Sequence, residues 1–220
     1  IASGIIAIAA ALFAVRTYGR NSDWHDDFSI YFSTLERTSQ KGQLYYNLGT
    51  ACDSLDQSTR AAKYYELAIR HGKNTSDVMA NLAIDYMRTG RNSMASNVLA
   101  SAIAIDPGNA YARNAMGNIL EQAGNTNDAM KEYNAAVSTF PNLLEAHTSL
   151  GILYGLLDNH NESIGHFRTV FEKKKDAASY FNYAYALYRK GDRKAAENLF
   201  MESLALFPEN NPAERFLKKR

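Results

Sequence analysis

Proline is scarce in this chain, four in 220 residues, and cysteine and tryptophan occur once each. So little proline argues against collagen-like and low-complexity architectures and leaves room for long helices packed by large side chains. Neither sign of charge predominates. With 24 Lys and Arg against 23 Asp and Glu, no global field exists to draw in nucleic acid or an anionic surface, so a nucleic-acid partner is not expected. The lone cysteine, Cys52, falls in an apolar stripe of helical period, where it reads as a small buried hydrophobe and says nothing about redox compartment.

Chemistry-bearing patterns are missing as well. The histidines, at 25, 71, 147, 160 and 166, form no helical HExxH and pair with no cysteine at zinc spacing, so no metal is expected. There is no glycine-rich phosphate loop, no GxSxG elbow and no Asp-rich calcium loop; no catalytic residue and no cofactor is assigned. Asn74-Thr75-Ser76 and Asn161-Glu162-Ser163 match the glycosylation acceptor pattern, which a chain this rich in asparagine matches by chance. Lys173, Lys174 and Lys175 read as a solvated helix end.

What is present is apolar and aromatic: 46% hydrophobic residues, with 14 Tyr and 10 Phe, enough to bury a substantial all-helical core. Residues 1–15, IASGIIAIAAALFAV, carry no charge. As a helix they span roughly 22 Å at about 1.5 Å per residue, short of the roughly 30 Å hydrocarbon core. We read residues 1–18 as part of a transmembrane helix, with a signal remnant and a buried soluble helix as the competing readings. Residues 22–41 follow with Phe28, Tyr31, Phe32 and Leu35 on one face, an amphipathic helix starting near Asp23 that serves as a cap or linker.

Beyond this point the chain repeats itself every 34 residues. Tyr45, Leu48, Gly49, Cys52, Ala61, Tyr65 and Ala68 recur as Met79, Leu82, Ala83, Tyr86, Ala95, Leu99 and Ala102, then Pro107. A third copy has Met116, Gly117, Leu120, Ala129, Tyr133, Ala136 and Pro141; a fourth has Leu150, Gly151, Tyr154, Ser163, Phe167 and Val170. The fifth arrives one residue early with Tyr180, Tyr183, Ala184, Leu187, Ala196, Phe200, Ser203 and Pro208. Small residues at 49, 83, 117, 151 and 184 let one helix approach another, glycines 90, 124 and 191 suit left-handed helix ends, and the prolines stop helices. Lys73 and Lys175 stand where the first and fourth copies lack a proline, and Ser163 and Val170 loosen the fourth.

This pattern resembles the tetratricopeptide repeat, a pair of antiparallel helices per 34 residues. The resemblance implies an all-α fold, a right-handed superhelix (α-solenoid) of about five helix pairs. The expected units are 42–75, 76–109, 110–143, 144–176 and 177–210, within 42–210, followed by a capping helix over 211–220 that starts at Asn211 and Pro212.

In this family the first helix of each pair lines the inner groove. The rule places Tyr46, Asn47, Thr50, Asn81, Ile84, Arg88, Asn114, Asn118, Gln122, Thr148, Ile152, Phe181, Asn182, Tyr185 and Arg189 in it. Asn47, Asn81 and Asn182 occupy equivalent sites, where an amide can serve both the donor and the acceptor of an extended peptide backbone; satisfying neighbouring helix ends is their competing role. Phe181, Tyr185 and Tyr188 form an aromatic wall, in part within reach of the terminal cap. Arg88 and Arg189 read as isolated cations, and the lysine and arginine clamp of chaperone-binding members is replaced by Tyr46, Thr50, Asn81, Tyr111 and Ala115. The expected partner is a protein or extended peptide.

A second resemblance lies at the junction RNSDWHDDF with YYNLG, centred on Asn21, Trp24, Asp26 and Asp27. It is similar to the stretch joining the last membrane helix to the repeats in multispanning tetratricopeptide proteins related to protein O-mannosyltransferases, and it implies a parent glycosyltransferase whose chemistry lies elsewhere. Two functions follow as expectations: a membrane-tethered interaction scaffold, or the substrate-presenting C-terminal domain of a polytopic glycosyltransferase. Arg16 and Arg20 favour a cytoplasmic array, whereas the second resemblance places the repeats on the periplasmic or luminal side, which is the reading adopted.

Overall fold

The computed structural model describes residues 39–209 and 211–218, which contain helices and no strand. Two compact units divide them. The first contains α1 (Lys41–Ser54), α2 (Ser58–Arg70), α3 (Ser76–Arg88) and α4 (Asn92–Ile105). The second contains α5 (Ala110–Gln122), α6 (Thr126–Thr139), α7 (Leu144–Leu156), α8 (His160–Lys173), α9 (Ala177–Lys190), α10 (Arg193–Leu206) and the short α11 (Pro212–Leu217). Within each unit every helix packs on the next, and α11 rests on both α9 and α10.

The residues expected to form a membrane helix, 1–18, lie outside the described residues, as do nearly all of the expected amphipathic helix over 22–41, whose last residue, Lys41, opens α1. Among the described residues no helix is long and apolar enough to cross a membrane.

One turn recurs inside every helix pair. Asp56, Gly90, Gly124, Asp158 and Gly191 all have positive φ, at 55°, 75°, 78°, 59° and 100°. Beside each of them a backbone N–H reaches back over the turn: Gln57 to Cys52, Arg91 to Tyr86, Asn125 to Leu120, Asn159 to Tyr154 and Asp192 to Leu187. This left-handed closure satisfies carbonyls that the helix end leaves open. Glycine adopts it freely, and aspartate is among the few other residues that tolerate it.

The pairs close on small-against-large contacts. Gly49 meets Tyr65, Gly117 meets Tyr133 and Gly151 meets Phe167 so tightly that no Cβ fits without displacing the ring. In the first unit Leu48, Cys52, Ala61, Tyr65, Leu82, Ala83, Ala95 and Leu99 are buried. Burial pushes the Cys52 thiol up, which leaves it a packed, unreactive group. The second unit has one cluster around Ala129, Tyr133, Ala146 and Leu150, and another around Ala184, Ala196 and Phe200.

Short polar side chains cap the helix starts of α5, α9, α10 and α11. Asn109 accepts from the Ala112 N–H at 2.9 Å, Asp176 forms a capping box with Ser179, and Asp192 accepts from Ala195. Asn211 is sealed from solvent, donates to the carbonyls of Ser203 and Phe207, and accepts from the Ala213 N–H. That one amide fastens α11 to the end of α10, and Phe216 then lies among Phe181, Tyr185, Tyr188 and Phe200.

Candidate functional site

In the first unit the expected groove residues are largely occupied with one another. The Tyr46 ring sits 5.9 Å from that of Tyr65, the Asn47 Oδ1 accepts from Gln43 at 2.9 Å, and Thr50 donates to the Asn47 carbonyl. Arg88 is not an isolated cation: its Nη1 lies 3.1 Å from Asp53 and 3.6 Å from Asp85. Asn81 is half-buried on α3, with no hydrogen-bond partner among the described residues.

The Asp53–Asp85 pair behind Arg88 is a feature that sequence reading missed. Asp85 is fully buried, and neither of its oxygens has a hydrogen-bond partner among the described residues. Asp53 is engaged by the Tyr65 hydroxyl at 2.6 Å and by Arg88. Burial first, and then the neighbouring Asp53 charge, push the Asp85 carboxyl well above the usual carboxylate range. A signal for it was present: counted by the repeat, the column holding Asp85 reads Ala51, Ile119, Leu153 and Ala186 in the other copies.

In the second unit the Tyr133 hydroxyl lies 2.7 Å from both the Asn118 Oδ1 and the Glu121 carboxylate, and Thr148 donates to the Leu144 carbonyl. Asn118 and Thr148 are thus tied to their own helix pairs. The Asn114 Oδ1 is buried without a partner among the described residues, and Gln122 is exposed at the end of α5.

Five expected residues, Ile152, Phe181, Asn182, Tyr185 and Arg189, do meet, and they line one pocket of about 280 Å³ between α7, α8 and α9. Gly151, Gly155 and Ala186 leave the space, and Phe167 and Phe181 bring aromatic surface to it. From α7, Ile152 and Leu156 line it with 43% and 73% of their surfaces in solvent, so the pocket has an apolar mouth. Large exposed aliphatic side chains gathered at a concavity are the usual mark of a surface that binds something.

Polar groups are few here and differ in availability. Ser163 is buried and donates to the Gly151 carbonyl at 2.7 Å, so it is structural. Arg189 is held 2.9 Å from Asp158 and interacts with Tyr185, which corrects its reading as isolated. Asn182 is half-buried, with no hydrogen-bond partner among the described residues. The pocket therefore offers apolar surface and an amide with both functions open.

Leu156 was missed although it shares a column with Arg88, Gln122 and Arg189, which the groove rule did place. Its column nonetheless marks it: the other copies have Ser54, Arg88, Gln122 and Arg189 there, so the fourth alone presents an aliphatic side chain. The α8 contributions, His160, Ser163 and Phe167, come from the second helix of the pair. The expected aromatic wall exists, with Phe181 and Tyr185 stacked at 5.8 Å, and α11 covers part of it through Phe216.

Family models described as tetratricopeptide repeat match residues 42–70, 86–151 and 177–210. The human protein O-mannosyl-transferase TMTC1 is 25% identical over 169 residues, 76% of this chain and 19% of that protein. Mouse protein O-mannosyl-transferase TMTC3 is 25% identical over 155 residues, 64% of this chain and 17% of its own length. The chain thus spans less than a fifth of these relatives. Among solved structures, that of Pseudomonas aeruginosa pilF superimposes with a TM-score of 0.77 at 13% identity, covering 93% of each chain. YrrB, described as a TPR protein with an unusual peptide-binding site, gives 0.64 at 17% identity over 86% of this chain and 97% of its own.

Proposed function

This chain belongs to the tetratricopeptide repeat family, and from that premise we propose that it is a protein-interaction scaffold with no catalytic role of its own. It holds an extended segment of a partner protein against the second unit. One bulky apolar side chain of that segment enters the pocket between α7, α8 and α9, and the Asn182 amide pairs with the adjacent backbone. The observation that carries this reading is the apolar mouth, with Leu156 73% exposed beside an amide that has no hydrogen-bond partner among the described residues. In the first unit, the half-buried Asn81 supplies a further amide of the same kind.

A displayed library of random twelve-residue peptides, selected on the wild-type protein, tests this. Enriched peptides should share a Leu, Ile, Phe or Met and bind the Leu156→Glu variant at least tenfold more weakly. Enrichment without a bulky apolar residue, or equal binding to that variant, removes the pocket as the site.

The similarity to protein O-mannosyl-transferases TMTC1 and TMTC3 supports a second reading, in which this region presents acceptor proteins to a polytopic glycosyltransferase. In both readings the apolar run at 1–15 tethers the repeats to a membrane, and in the second they lie on the luminal or periplasmic side. Protease digestion of sealed membranes carrying the natural full-length protein checks the sidedness: repeats cut without detergent in membranes whose cytoplasmic face is outward overturn it.

A further inference from the structure

We propose that His147 and His166 form a two-histidine chelate for a divalent late transition metal, with Cu2+ and Ni2+ as the best-fitting ions. The two side chains are 19 positions apart, one on α7 and one on α8, and their Nδ1 atoms face each other at 2.9 Å. Two metal–nitrogen bonds of about 2.0–2.1 Å at a right angle set their nitrogens about 2.9 Å apart, whereas a tetrahedral angle needs about 3.3 Å. The separation therefore matches the cis positions of a tetragonal or octahedral ion, the geometries of Cu2+ and Ni2+, better than it matches Zn2+.

The surroundings prepare the rings for this. The His147 Nε2 lies 3.1 Å from the Pro141 carbonyl, the outer hydrogen bond that a ligating imidazole makes with its second nitrogen. Donation there leaves a lone pair on the His147 Nδ1, directed at its neighbour. The His166 ring stacks on Tyr154 at 5.5 Å and 8°. A single proton on the His166 Nδ1 bridges the pair. When a metal enters, that proton is exchanged through solvent for one on Nε2, both rings stay neutral, and each turns its lone pair toward the ion.

Among the described residues no three histidine, cysteine or acidic side chains converge on such a site, so water fills the remaining positions and binding is exchangeable. Because the two ligands sit on facing helices, an ion that binds only the folded state also staples α7 to α8. This inference stands apart from the peptide-binding reading, since neither histidine lines the pocket.

Calorimetric titration of tag-free protein with CuCl2 and with NiCl2 tests it, with the His147→Gln/His166→Gln variant as control. The wild type should bind one equivalent at least tenfold more tightly than the variant, with ZnCl2 weaker than NiCl2, and added Ni2+ should raise the wild-type melting temperature alone. Equal affinity and stoichiometry in both proteins would mean binding at the other histidines only, and would overturn the site. Should the variant not fold, proton NMR of the wild type decides: substoichiometric Cu2+ should broaden the imidazole signals of His147 and His166 first, and broadening confined to His25, His71 or His160 overturns the proposal.

Discussion

Gly117 lies so close to Tyr133 that a Cβ built on it falls 2.6 Å from the ring's Cε1, and Gly49 repeats the relationship with Tyr65 at 2.5 Å. The ring fills the space a side chain would need, and each such contact seats one helix of a pair on the other.

Gly117→Ala should therefore destabilise the protein by about 1–3 kcal/mol, because the buried Tyr133 ring must move. Gly165→Ala is the control: this helical glycine has open space around its missing Cβ, and its replacement should add about 0.5–1 kcal/mol. Urea unfolding midpoints measure both. Equal shifts would show that the ring contact is not what sets the cost.

The five left-handed turns make a second prediction. Gly124→Ala should cost about 1–2 kcal/mol at φ 78°, and Asp56→Gly should gain up to about 1 kcal/mol. Asp158→Gly should gain less, since it also surrenders the Arg189 contact at 2.9 Å. A loss of stability in Asp56→Gly would show that the aspartate side chain is needed at this turn.

Asp85 predicts a pH dependence. Its carboxyl is raised in the folded state, chiefly by burial and then by Asp53, so the native protein holds a proton that the unfolded chain gives up near the ordinary carboxylate value. The stability it contributes is complete below about pH 4 and is lost as pH rises through the elevated folded value. Asp85→Asn, neutral at every pH, should flatten that decline and, above the folded value, exceed the wild type by about 1–3 kcal/mol. Thermal unfolding from pH 4 to pH 9 gives the answer, and an unchanged slope would show that Asp85 does not hold the proton.

The amides should differ in their effect on binding. Against a peptide selected as above, Asn182→Ala should weaken affinity by about 1–3 kcal/mol through the loss of backbone pairing. Asn47→Ala should matter less, because its Oδ1 already accepts from Gln43. Fluorescence anisotropy titrations with a labelled peptide compare them, and identical affinities for wild type and Asn182→Ala would remove the amide from recognition.

By itself the sequence determined the helical class, the 34-residue step and the small-against-large columns, because a contact repeated five times leaves a periodic record of residue size. The outliers Asp85 and Leu156, each of the wrong polarity for its column, are also written in the sequence, but their meaning emerged only once burial and the pocket were known. The tertiary structure alone decided which groove candidates are free. Asn47, Asn118, Arg88 and Arg189 are held by Gln43, Tyr133, Asp53 and Asp158, partners up to 35 positions away. It also decided that α8 helps to line the pocket and that His147 meets His166. A repeat fixes which positions turn inward within a helix pair, but contact between two side chains depends on rotamers and on the spacing of facing helices, which no periodicity records.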